Sequence, residues 1–131
     1  MRVLIAEDDF ASRKFMLRFL SKYGECDVTV DGVEVVEAFK MALEAKEGYD
    51  LVCLDIMMPL QDGYQALKEI RKIEAQENIP PEKQAKIIMT TALSDGRNVI
   101  KAFELGCNAY AGKPIDQEKF KRILKKLELI E

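Results

Sequence analysis

The chain alternates between short apolar runs and longer stretches with helical spacing. The apolar runs, each bounded by charged or turn residues, are Val3–Ala6, Val28–Val30, Leu51–Leu54, Ile87–Met89 and Ala109–Ala111. Short runs of this kind are typical of strands buried on both faces. Between and after them, apolar residues recur every three or four positions, which predicts helices with one apolar face.

Repeated five times, strand followed by helix indicates an α/β fold in which helices cover both faces of a doubly wound, five-stranded parallel sheet. The segment Glu77–Lys86, which contains Pro80-Pro81, is predicted to be a long loop before the fourth strand. The predicted faces of the five helices are Ala11, Phe15, Phe19 and Leu20; Val33, Val36, Phe39, Lys40 and Leu43; Leu67, Ile70 and Ile73; Val99, Phe103 and Leu105; and Phe120, Ile123, Leu124 and Leu127.

Composition narrows the class of protein. The 131 residues fit one domain, predicted to span 1–131, and 48% apolar with 33% charged residues is typical of a folded chain. A net charge of −3 provides no general attraction to nucleic acid or to anionic membranes, so neither is expected as a direct partner. No apolar run is long enough to cross a bilayer, and the N-terminus does not resemble a signal peptide.

The cysteine and histidine content further limits the kinds of chemistry that this chain can perform. The cysteines, Cys26, Cys53 and Cys107, are far apart and show no CxxC spacing, which favours free thiols in a reducing, cytoplasmic compartment. The sequence contains no histidine, and this excludes histidine acid–base catalysis and the usual zinc sites on this chain.

Polar residues follow four of the predicted strands, at the edge where open parallel sheets bind ligands. If strands one, three, four and five are neighbours, these residues converge in one cleft. Each alone has an ordinary explanation; Asp9, for example, could simply cap the first helix. The residues are Glu7, Asp8 and Asp9 after the first strand, Asp55 after the third, Thr90 and Thr91 after the fourth, and Lys113 after the fifth.

Together these residues indicate phosphoryl chemistry. Crowded carboxylates repel one another unless a cation intervenes, and Mg²⁺ is a cation that one or two carboxylates commonly bind. Lys113 would add a positive charge and Thr91 a hydroxyl donor, which are the groups that stabilise a phosphoryl group during transfer. Asp55 would be the carboxylate nucleophile.

The chain resembles the response-regulator receiver family over essentially its whole length. The resemblance depends on four motifs in order, each at a strand end: Val3–Asp9; Leu51–Pro59 with Asp62-Gly63; Ile87–Ala92; and Gly106–Pro114. It implies a flavodoxin-like sheet with strand order 2-1-3-4-5 and five helices.

The resemblance also implies roles for the acids. Asp55 matches the phosphoacceptor, Asp8 would bind Mg²⁺ directly and Glu7 mostly through water, and Met57 would offer its backbone carbonyl to the metal. The family usually places an arginine shortly after the acidic pair, and Arg13 fits if the pair is Glu7 and Asp8. A pair formed by Asp8 and Asp9 is the alternative.

Three further residues match family positions. Lys113 resembles the salt-bridging lysine, and its bond to Pro114 is expected to be cis. Thr91 resembles the hydroxyl residue that moves toward the phosphoryl group, and Tyr110 the aromatic residue that then turns inward. Met57 and Leu93, two positions beyond Asp55 and Thr91, are both apolar, which predicts slow hydrolysis of the phosphorylated form.

The implied function is that of a two-component response regulator. A sensor histidine kinase or phosphotransfer protein would supply the phosphoryl group, and a changed surface of helix four, strand five and helix five would bind a downstream protein. The chain would assist its own phosphorylation and dephosphorylation without multiple turnover on small substrates.

Three other functions remain open from the residues alone. A Mg²⁺-dependent phosphatase or phosphotransferase could also use Asp55, but it needs a second acid near the nucleophile, where this chain has Met57. A flavin or nucleotide binder needs a phosphate-binding loop after the first strand, where Glu7–Asp9 would repel phosphate. The third is a receiver-like scaffold that binds partners without phosphorylation.

Overall fold

The computed structural model describes the backbone of residues 1–92 and 96–131 and the side chains of residues 1–92 and 99–131. Within those residues, no helix has both the length and the apolar content needed to span a membrane. The strands are β1 (Arg2–Ala6), β2 (Glu25–Thr29), β3 (Leu51–Asp55), β4 (Lys86–Thr91) and β5 (Ala109–Gly112), and the α-helices are α1 (Phe10–Leu20), α2 (Gly32–Glu44), α3 (Gly63–Gln76), α4 (Gly96–Glu104) and α5 (Gln117–Lys126). A short 3₁₀ turn, Pro81–Lys83, interrupts the predicted loop before β4.

The strands form a single sheet in the order β2-β1-β3-β4-β5 with every pairing parallel, which confirms the predicted flavodoxin-like fold. Cys53 of β3 pairs with Ile5 of β1 on one side and with Ile88 of β4 on the other. Because the strands run the same way in this register, β1, β3, β4 and β5 all end at one edge of the sheet. The residues that follow them therefore share that edge.

Helices cover both faces of the sheet, as predicted. Successive residues of a strand point to opposite faces. Accordingly, Val52 and Leu54 belong to the core beneath α2 and α3, whereas Leu51 and Cys53 belong to the core beneath α1 and α5. All four side chains are at most 2% exposed, so β3 is the buried centre of the molecule.

The second strand differs from the prediction. It spans Glu25–Thr29 instead of Val28–Val30, and the side chains of Val28 and Val30 are about two-fifths exposed, at 40% and 39%. β2 is an edge strand of the sheet, so helices cover it less completely and polar residues can occupy it. The search for continuous apolar runs therefore found only its end.

Three predicted helix faces are also wrong in part. In α2 the buried side chains include Val35 and Ala42, whereas Val33 and Lys40 are exposed. In α4, Ala102 is fully buried while Phe103, assigned to the apolar face, is 47% exposed. The remaining error is in α1, where Ala11 is exposed. The predicted faces omitted the buried alanines, whose small side chains let a helix approach the sheet closely.

A polar network ties α3 to the start of β4 and to the loop before β5. The Glu74 side chain is buried, and its carboxylate accepts hydrogen bonds from Arg71 Nη1 at 2.6 Å and from the Ala85 amide at 2.8 Å. Arg71 also donates through Nε to the Gly106 carbonyl at 3.0 Å and through Nη2 to the Asn108 side chain at 2.8 Å. These bonds satisfy a charge that would otherwise be buried without a partner.

Candidate functional site

Three carboxylates meet where β1 and β3 end. One oxygen from each of Glu7, Asp8 and Asp55 lies within 4.8 Å of the others. Glu7 and Asp55 are buried, at 2% and 4% exposed, and Asp8 is exposed. The cluster follows from the sheet, because β1 and β3 are hydrogen-bonded neighbours that end side by side.

The three consecutive acids after β1 take different positions in the structure. Asp9 lies outside the cluster and caps α1, with its side chain accepting a hydrogen bond from the Ser12 amide at 2.9 Å. This bond lowers the pKa of Asp9. The carboxylates that converge on Asp55 are those of Glu7 and Asp8, which is the geometry of the first of the two alternatives.

Lys113 brings a positive charge into the same cleft from the loop after β5. Its ammonium nitrogen lies 2.6 Å from Glu7 Oε1 and 3.2 Å from Asp55 Oδ2. The Lys113 amide donates to the Thr91 carbonyl at 2.8 Å, and the bond to Pro114 is cis, as expected. Residues 106 positions apart in sequence therefore form one ion pair.

The electrostatics of the cleft follow from burial and crowding. Burial raises the pKa of Glu7 to about 7, and the nearby Asp55 carboxylate adds to the rise, while Lys113 partly offsets it. For Lys113, burial acts to lower the pKa, but the hydrogen bond and charge of Glu7, together with Asp55, raise it overall. One ammonium thus faces more negative charge than it can neutralise.

These residues fit a hard divalent cation. Glu7 Oε2 is the buried side-chain oxygen that has no hydrogen-bond partner among the described residues. Such an oxygen is costly unless something binds it. Carboxylate oxygens are the ligands that Mg²⁺ prefers, and a cation here would reduce the repulsion between the three acids. The donor set is therefore suitable for Mg²⁺.

The start of α3 packs directly against the end of β3, the strand that ends in Asp55. Gly63, the first residue of the helix, donates its amide to the Ile56 carbonyl at 2.9 Å, and a Cβ on it would collide with the Asp55 carbonyl oxygen. Asp62 and Gln65 form a reciprocal capping box that fixes this helix end. Sequence reasoning noted Gly63 only as part of a motif and missed this contact.

The other predicted residues lie around the cleft. Thr91 is fully buried at the end of β4, Tyr110 is half-buried in β5, and the Met57 side chain is 64% exposed just after Asp55. Thr90 is a strand residue, as expected, and its hydroxyl donates to the Leu54 carbonyl at 3.4 Å. The metal role of Met57 and the switch roles of Thr91 and Tyr110 stay predictions. Leu93 lies outside the described residues.

Comparison with known proteins is consistent with this geometry. Residues 3–125 match the model of the response regulator receiver domain. The chemotaxis protein CheY of Treponema pallidum is 36% identical over 120 residues, which are 90% of this chain and 76% of that protein. The peroxide stress-activated histidine kinase mak1 of Schizosaccharomyces pombe is 34% identical over 93% of this chain, but the matched part is only 7% of the kinase.

Solved structures show the same fold. The complex of CheX, CheY, BeF₃ and Mg²⁺ from Borrelia burgdorferi contains a chain that superposes with a TM-score of 0.83 at 26% identity, covering 100% of this chain and 90% of that one. Mg²⁺ is part of that complex. The curated relatives vary in how much of their length is matched; the chain spans 55% of the protein named probable transcriptional regulator ycf29 of Porphyra purpurea, to which it is 32% identical.

Proposed function

Because the chain belongs to the response regulator receiver domain family of two-component signalling, we propose that it accepts a phosphoryl group on Asp55 from a phosphohistidine. The donor would be a sensor histidine kinase or a phosphotransfer protein. The observation that carries the proposal is the meeting of Glu7, Asp8 and Asp55 with Lys113 at one edge of the sheet. Here a carboxylate nucleophile lies beside both a cation-binding acid pair and a fixed positive charge.

Glu7, Asp8 and Asp55 would hold Mg²⁺, together with the backbone carbonyl of Met57. When bound, the ion supplies positive charge that offsets the negative charge of the phosphoryl oxygens. Asp55 attacks phosphorus with a carboxylate oxygen; the bond from phosphorus to the donor nitrogen breaks as the bond to Asp55 forms. Lys113, already 3.2 Å from Asp55 Oδ2, stabilises the charge on the group in transfer.

The phosphorylated form would differ in shape at the surface formed by α4, β5 and α5. The aspartyl phosphate carries up to about two negative charges, and Thr91 would donate its hydroxyl to it. Tyr110, which packs at the border of the core beneath α2 and α3, would then turn inward. We describe this as a shift between two existing arrangements, since the ligand favours one of them.

A downstream protein would recognise that surface. The exposed face of α5 is basic, and this favours a partner with an acidic surface. The basic residues of α5 are Lys119, Arg122, Lys125 and Lys126, which are exposed, and Lys121, which is half-buried; Glu118 in the first turn is acidic. The location we propose is the cytoplasm, on the ground that the three cysteines are free thiols.

The experiment that tests the proposal combines a small phosphodonor with intact-mass measurement. With phosphoramidate and Mg²⁺, the protein should gain the mass of one phosphoryl group, and with Mg²⁺ removed by chelation the gain should largely disappear. Peptide mapping should place the group on Asp55. Uptake that is equally fast without a divalent ion would contradict the role assigned to the three acids.

The lifetime of the phosphorylated form gives a second test. Met57→Asn should shorten that lifetime several-fold, because an amide beside the phosphoryl group can orient the attacking water where the exposed thioether cannot. The decay of the phosphorylated protein is followed by mass after the phosphodonor is removed. The control is Met41→Asn, which makes the same change at an exposed methionine of α2 and should leave the lifetime unchanged. Equal lifetimes for Met57→Asn and the wild type would contradict the prediction.

A further inference from the structure

We propose that Arg13 is a positioning residue for the cation site: it aims the carboxylates of Glu7 and Asp8 toward Asp55 by holding their backbone carbonyls. The inference rests on the proposed function, in which those acids bind Mg²⁺. Arg13 itself would contact neither the ion nor the phosphoryl group.

The contact is a fork on two successive carbonyls. Arg13 Nη1 donates to the Glu7 carbonyl at 3.0 Å and to the Asp8 carbonyl at 3.2 Å. Nη1 carries two hydrogens, enough to donate to both carbonyls, and the guanidinium keeps its charge at any physiological pH. Because the carbonyl carbon and the Cβ of a residue are both bonded to its Cα, holding both carbonyls restrains the directions in which the two side chains leave the backbone.

Two other contacts hold the same segment at its ends. The Glu7 amide donates to the Thr29 carbonyl of β2 at 3.1 Å, and the Asp9 side chain caps α1. Arg13 restrains the part of the segment that lies between these two contacts. Its guanidinium carbon lies 5.6 Å from the centre of the Phe10 ring, which gives this 68% exposed phenylalanine a role in orienting the arginine.

Charge and geometry predict opposite effects of removing Arg13. A guanidinium near a cation site repels the cation, so charge alone predicts that its loss strengthens Mg²⁺ binding. Positioning predicts weaker binding, because the acids lose their fixed direction. Residues that orient metal ligands typically contribute about 10–100-fold in affinity, and this exceeds what a screened, part-exposed charge contributes. The sign of the change therefore decides between the two.

The test measures Mg²⁺ binding by isothermal titration calorimetry without any phosphodonor. Arg13→Ala should raise the Kd for Mg²⁺ at least about tenfold. Arg18→Ala, the same change at an exposed arginine of the same helix, should leave Kd unchanged. Arg13→Lys should be intermediate, since the charge and donors remain on a flexible stem.

The Mg²⁺ dependence of phosphorylation separates a positioning role of Arg13 from a general loss of structure. With phosphoramidate, Arg13→Ala should need more Mg²⁺ for half-maximal phosphorylation, yet reach nearly the wild-type rate at saturating Mg²⁺. Circular dichroism monitors folding of each variant; if Arg13→Ala were unfolded, Arg13→Lys would carry the test, and a wild-type Kd for it would overturn the proposal.

The variant Asp8→Asn distinguishes a failure of the positioning role of Arg13 from a failure of the proposed metal site. If Asp8→Asn abolishes Mg²⁺ binding while Arg13→Ala binds as tightly as Arg18→Ala, or more tightly, the positioning role alone is overturned. If Asp8→Asn binds Mg²⁺ like the wild type, the metal site itself is wrong, and the role of Arg13 falls with it.

Discussion

Asp55→Asn is expected to abolish phosphoryl uptake from phosphoramidate or from a phosphorylated donor protein. The substitution keeps the size and shape of the side chain but replaces the carboxylate nucleophile with a neutral amide. Asp55 is 4% exposed, lies 3.2 Å from Lys113 and is the last residue of β3, the buried central strand. Intact-mass measurement after incubation with the phosphodonor and Mg²⁺ should show only unmodified protein.

The matched control is Asp50→Asn. Asp50 directly precedes the same strand, β3, but at its opposite end, and it is exposed. The two variants make the same chemical change at the two ends of one strand. Asp50→Asn should therefore take up phosphate like the wild type. If Asp55→Asn were phosphorylated as fast as Asp50→Asn, the acceptor would have to be another residue.

Arg71→Ala should cause a large loss of stability at a position away from the site. The substitution leaves the Glu74 carboxylate buried, with its 2.6 Å partner removed. Breaking one side of a buried ion pair costs about 3–5 kcal/mol, which is a large share of the roughly 5–15 kcal/mol that stabilises an ordinary domain. Urea unfolding should show a lower midpoint for Arg71→Ala than for the wild type.

Two companion variants identify the cause of that loss. Lys72→Ala, at the next and exposed position of α3, should change the free energy of unfolding by no more than about 0.5 kcal/mol. Adding Glu74→Gln to Arg71→Ala should recover part of the loss, because a neutral amide is easier to bury than a charge. A cost for Arg71→Ala no larger than that of Lys72→Ala would contradict the importance of the network.

The central architecture could be predicted from sequence because its signal is local. β1, β3 and β4 lie in the interior of the sheet, so their apolar runs stand out and the polar residues that follow them are easy to place. The bounds of the edge strand β2 were predicted wrongly because its exposure allows the polar residues Glu25 and Asp27 to occupy it. The faces of α2 and α4 were predicted wrongly in part because the buried residues there include the alanines Ala42 and Ala102, not only large apolar residues.

The candidate site was predictable as a set of residues but not as a geometry. Three consecutive acids follow β1, and the sequence alone does not state which two of them lie beside Asp55. The answer depends on the Asp9 cap and the Arg13 fork, which are contacts of the folded chain. Networks such as that of Arg71 and Asn108 join residues 37 positions apart, and no local pattern contains them.

The contact of Gly63 with the end of β3 implies that the position of Asp55 depends on a residue without a side chain. Any larger residue there would push the first turn of α3 away from the Asp55 backbone, and the capping box of Asp62 and Gln65 would move with it. The site therefore has a steric requirement that no comparison of reactive groups would reveal. Proteins that carry every acid and lysine of this cleft but a bulkier residue at that turn would be expected to lose the alignment of their acceptor.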